Sequence, residues 1–237
     1  MTSHPLTERH GEHGSIIFYI LIAVVVFAAL TYAVATSLRG NGNSLSSEQT
    51  SLDASDIIAS GNRLVEAVTR LRLRDVPKES ISFENSTVTG YANAACTTGT
   101  CKVFDGAGGG LTWETAPLGS QTTAHGWVFT ATRAVNQVGT TEAELIALLP
   151  NLTLDVCNGI NDLLSANPGS KIPPLMASIN LVTRFTGNFP AISSTFTHAT
   201  VNTKKAMCIQ FPSAAGPAFT GTPLTNVYIY YQVLIAR

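Results

Sequence analysis

Residues 16–35 read IIFYILIAVVVFAALTYAVA, twenty positions without a charged residue, Gly or Pro. At about 1.5 Å of rise per residue this run spans roughly 30 Å, the thickness of a bilayer hydrocarbon core, and it predicts a transmembrane helix over 15–38. A buried core helix would usually be shorter and keep a polar face. A cleavable secretory signal would end its apolar region after about 7–15 residues, at a small-x-small site.

The cysteines point to what lies beyond that helix. Cys96, Cys101, Cys157 and Cys208 all follow it, an even number compatible with two disulfides and so with an oxidising compartment. The flanking charges, Arg9 before the run and Arg39 after it, mark orientation only weakly. A metal site would need closer ligand spacing and neighbouring histidines, whereas the exported part carries only His125 and His198. No metal and no cofactor is expected. Setting aside Arg9, Glu8 and Glu12 leaves thirteen basic against thirteen acidic residues, a neutral balance that argues against a nucleic-acid partner.

Past the apolar run the chain reads as a linker or stalk over 39–50, rich in Gly, Asn and Ser, then as an exported domain over 51–237. Ile57, Leu64, Val65, Val68 and Leu71 fall on one face of a helix that Pro77 ends, with Arg63, Arg70 and Arg74 on the opposite, solvated side. Between 81 and 132 short apolar runs alternate with turn residues, which predicts strands and hairpins around the glycine turn Gly106–Gly110. Thr141 and Glu144 form a capping box that predicts a short helix over 145–149. Val156, Ile160, Leu163 and Leu164 predict a second. The C-terminal third returns to strands, and its last run, NVYIYYQVLIAR, suits a strand covered on both faces. The expected fold is α+β: an N-terminal transmembrane helix, then a domain with a mainly antiparallel sheet and short helices. With Cys157 on a helix and Cys208 in a strand, a Cys157 to Cys208 bridge beside a local Cys96 to Cys101 loop is favoured among the three connectivities that four cysteines allow.

Chemistry-bearing motifs are sparse. Asp105 and the glycines after it are not followed by the Lys-Ser or Lys-Thr of a phosphate loop. Asp105 and Glu114 lack the spaced acidic loop of a calcium-binding hand. No G-x-S-x-G elbow, H-E-x-x-H pair or clustered His, Asp and Ser supplies a base-activated nucleophile, so no catalytic residue is assigned and an enzyme is not expected. Sequons at Asn85 and Asn151 carry no weight without a known host.

A short hydrophilic leader ending at Gly14, followed at once by the long apolar helix and an α+β domain with late cysteines, resembles the type IV pilins and pseudopilins. The segments ISFEN (81–85), CKVFDGAGGGLTW (101–113), ALLPNLTLDVCNGIN (147–161) and the closing YIYYQVLIAR resemble a bacterial family of uncharacterised prepilin-like proteins. The resemblance implies cleavage by a prepilin peptidase between Gly14 and Ser15, a place in the bacterial inner membrane with the C-terminal domain periplasmic or extracellular, and partners in membrane lipid and other pilin-like subunits. Pilins usually carry Glu at the fifth mature position, which here is Tyr19, and Lys or Arg before the Gly, which here is His13. That departure implies a minor pilin or pseudopilin assembling through its N-terminal helix. The alternative is a stationary membrane-tethered binding module that holds a ligand with the 106–110 loop, Trp113 and Trp127.

Overall fold

The computed structural model describes residues 14–177, 179–180, 183–215 and 224–237; the leader-like segment expected at 1–14 lies, except for Gly14, outside them. Gly14 is the first residue of helix α1 (Gly14–Leu73). Contacts divide the chain into two compact units, Met1–Glu48 and Gln49–Arg237, and α1 contributes to both.

The expected transmembrane helix is corrected. Among the described residues no helix is long and apolar enough to cross a membrane. Nor does the run 39–47 break the helix, because α1 continues through it. Glycine and asparagine lower helix propensity by about 1 kcal/mol or less each, too little to end a helix whose next turns are fixed by packing.

That packing begins at residue 54. Ala54, Ile57, Leu64, Ala67, Val68 and Leu71 are buried, spaced by three, four or seven so that one stripe of α1 meets the core. The helix stops at Leu73 and the chain turns through Asp75 in the left-handed region (φ 61°). The stop comes before Pro77, whose ring disfavours helical backbone in the residue ahead of it.

The stripe lies in a core with one face of a six-stranded sheet. The strands are β1 (Val128–Val135), β2 (Glu144–Leu152), β3 (Ile179–Asn180), β4 (Ser194–Phe196), β5 (Ala206–Ala215) and β6 (Leu224–Ile235), in the order β3-β5-β6-β2-β1-β4. The pairs β1/β2, β2/β6 and β5/β6 are antiparallel, and the short edge strands β3 and β4 pair in parallel. The domain is therefore α+β.

β2 replaces the helix expected over 145–149. Leu145, Ala147 and Leu149 join the core beneath α1, while Ile146 and Leu148 join a second core on the opposite face with Met207, Ile209, Ile229 and Tyr231. A strand covered on both faces has no polar side to alternate with, so its sequence does not distinguish it from a buried helix. The runs between 81 and 114 are corrected in the other direction. Their regular structure is two 3-10 turns, Lys78–Ser80 and Gly99–Cys101, and the single bridge Ser82 to Lys102. Ile81, Phe83, Tyr91 and Val103 enter the core as plugs from an irregular segment.

Helix α2 (Leu154–Leu163) starts where the Thr153 side chain accepts the Val156 N–H, as a capping threonine does. It is tied to β5 twice. Cys157 is disulfide-bonded to Cys208, and Asn161 donates to the Cys208 carbonyl and accepts the Cys208 N–H, both at 2.9 Å. Among the described residues β3 pairs β5 at Ala214 and Ala215 and Leu175 bridges Gln210 on the same edge, while at Cys208 that edge of β5 has no strand neighbour. The Asn161 amide supplies the donor and acceptor that a strand would.

Candidate functional site

Three regions carry features the sequence singled out: the glycine loop, the disulfides and the apolar stretch of α1.

The glycine loop is fully occupied with itself. The Asp105 carboxylate accepts the Ala107 N–H, and the Asp105 carbonyl accepts those of Gly108 and Gly110. Gly109 and Leu111 donate to Lys102 and Val103. An anion cradle needs several such amides aimed at the ligand, and here the amides of 107–111 are spent inside the loop. Gly110 sits at φ 77°, and a Cβ on Gly108 or Gly109 would collide with the carbonyls of Lys102 and Val103. The glycines answer a steric demand.

The arginines Arg63, Arg70 and Arg74 are exposed, as expected of a solvated face, and from there they also clip this segment to α1. Arg70 Nη1 donates to the Gly109 carbonyl at 3.2 Å, and Arg74 Nη1 donates to those of Ala107 and Gly108 at 2.9 and 3.2 Å. Arg63 pairs with Glu114 at 2.5 Å. Arg74→Ala is expected to cost about 1 kcal/mol, lowering the melting temperature by roughly 3 °C. Amide exchange should quicken at 108–111 and stay unchanged in β2, and exchange unaltered in the loop would refute the clip.

The tryptophans do not form an exposed platform. Trp127 is buried and meets Tyr230 edge-on at 6.0 Å; Trp113 is half-buried against Phe104 at 5.2 Å. The cavity beside them, between Arg63, Phe104, Gly110 and Trp127, is about 120 Å³, well below the roughly 300 Å³ at which small-molecule sites begin.

Both disulfides join the favoured partners, Cys96 with Cys101 and Cys157 with Cys208. His125 is half-buried, and burial lowers its pKa; His198 is exposed in another loop, where its Nδ1 accepts the Thr200 N–H. Among the described residues no group of three or more His, Cys, Asp or Glu could hold a metal. Asn85 spends its side-chain oxygen on the amides of Thr87 and Val88, and Asn151 is buried.

No family model, curated protein or solved structure matches this chain.

The third region is the least satisfied by the chain itself. From Ile17 to Tyr32 twelve large apolar side chains are 45–73% exposed. Ile20, Ala23, Val24, Phe27, Ala28 and Thr31 line one groove along this surface. Two features were not legible as functional in the sequence. Asn161 gives no local signal of its bracket on β5, and Glu144, expected to cap a helix, is a buried carboxyl in β2.

Proposed function

We propose that this chain is a pilin-like assembly subunit, of the minor pilin or pseudopilin kind, whose copies or sister subunits pack through the apolar stretch 17–32 of α1. The observation that carries the reading is the exposure of that row. Covering a large apolar side chain is worth about 1.5–3 kcal/mol, so a partner that buries even half of the twelve gains on the order of 10 kcal/mol. Interspersed small residues, Ala23 and Ala28 among them, let a second helix approach closely. The two disulfides support export to an oxidising compartment. The assembly-competent form starts at Ser15, after removal of the leader through Gly14 by a prepilin peptidase.

The test is the mass and association state of the full chain made in cells that hold the peptidase. The mature protein should begin at Ser15 and associate, and Phe27→Glu/Leu30→Glu should be monomeric with the near-ultraviolet dichroism of its domain unchanged. A wild-type chain that stays monomeric up to its solubility limit, or that keeps Met1, would overturn the reading.

A further inference from the structure

β1 and β2 diverge into the loop 136–143, and the last β1 residue and the first β2 residue are joined there by a side chain. Glu144 is wholly buried, and its Oε2 accepts the Val135 N–H at 3.0 Å. Its Oε1, also buried, has no hydrogen-bond partner among the described residues. A carboxylate in that position lacks donors for half of its charge, whereas a carboxylic acid keeps the Val135 bond and places a hydrogen where no donor is available.

We propose that Glu144 is a proton-operated latch: neutral, it closes the open end of the β1/β2 hairpin and holds β4 beside it; ionised, it lets this corner of the sheet open to water.

The groups around it set the direction. Arg133, the ladder partner of Glu144 on β1, turns its guanidinium to the Ser194 hydroxyl of β4. The Val135 amide and Lys205, just before β5, favour the ionised form, and Tyr231 on β6 is raised by burial first and by the Glu144 charge second. Arg237 faces the neighbouring loop, donating to the Ala143 carbonyl and pairing with Glu142. Burial outweighs the attractions and pushes the Glu144 carboxyl up to about 7. The folded form therefore retains a proton that an opened, hydrated carboxyl would already have released above about 4.5. Raising the pH through 4.5 to 7 favours opening, and lowering it restores the latch.

Opening has a route and a consequence. A cavity of about 450 Å³ between loop 136–141 and β4, lined by Val135, Asn136, Thr195 and Thr197, brings solvent to this corner. Val135 also pairs with Phe196, and the Asn136 N–H donates to the Phe196 carbonyl. Among the described residues β4 lies at the sheet edge with β1 as its one ladder neighbour, so freeing Val135 loosens the Phe196 end of β4, while Thr132 and Arg133 still hold its start at Ser193 and Ser194.

Amide exchange of the full-length protein at about pH 6 and about pH 8.5, corrected for intrinsic rates, tests this. Amides of 135–136 and 194–196 should lose protection by roughly tenfold at the higher pH, and Glu144→Gln, which keeps an acceptor for Val135 and cannot ionise, should abolish the loss. Equal protection at both pH values in the wild type, or the same loss in Glu144→Gln, would overturn the latch. Should that variant not fold, titration of the wild-type Glu144 carboxyl carbon decides: a midpoint near 7 supports the proposal and one near 4.5 refutes it.

Discussion

A Cys157→Ala/Cys208→Ala protein is expected to unfold about 4 kcal/mol more easily than the wild type, while Cys96→Ala/Cys101→Ala loses only about 2 kcal/mol. The cause is the length of chain each bridge closes: 51 residues of separation for the first, five for the second. In the chain-entropy account a longer closed loop removes more freedom from the unfolded ensemble. Set against a total stability of roughly 5–15 kcal/mol for domains of this kind, the long bridge is a large share. Asn161 keeps its two bonds to Cys208 in the double variant, so α2 should stay in register and the loss should appear in the denaturation midpoint with little change in slope. If the two double variants have equal midpoints, chain closure is not what the long bridge contributes.

The second large effect lies at Phe129. Its ring stacks on Phe83 at a centroid distance of 3.9 Å, and Tyr91, Phe104 and Trp113 meet it at angles from 5.5 to 6.4 Å. Its backbone is bound as well: the N–H donates to the Tyr91 hydroxyl at 3.1 Å and the carbonyl accepts the Phe185 N–H at 2.9 Å. Phe129 is thus where the irregular segment 81–113 is fastened to the sheet. Phe129→Ala is expected to cost about 4 kcal/mol, combining lost burial with a cavity that the four ring neighbours spread along the irregular segment fill poorly. Phe129→Leu, with most of the volume retained, should cost about 1.5 kcal/mol or less. Chemical denaturation measures both, and near-equal losses would mean that the ring geometry contributes little.

Legibility in the sequence followed how local the determinants were. α2 was readable because its 3.6-residue apolar period falls within a dozen residues, and β6 because a run rich in β-branched and aromatic residues suits a strand with two dry faces. β2 was misread because Thr141 and Glu144 satisfy a helix-start pattern, while the evidence for a strand lies far away in β6 and in the second core. The arginines of α1 were rightly read as an exposed face, but nothing near them in sequence announces that the carbonyls of 107–109 turn toward them. Ile81, Phe83 and Val103 looked like strand residues because burial, without regular pairing, leaves the same trace in composition. The apolar run 16–35 was misread as a transmembrane helix because composition marks a surface that water does not satisfy without saying what covers it; among the described residues no helix is long and apolar enough to cross a membrane.

The sheet's order has a consequence for how the molecule is made. β2 lies between β1, which precedes it, and β6, which begins more than seventy residues later. Until β6 has left the ribosome, β2, buried on both faces in the finished sheet, has one flank open, and the non-local pairing that closes it is slow to form.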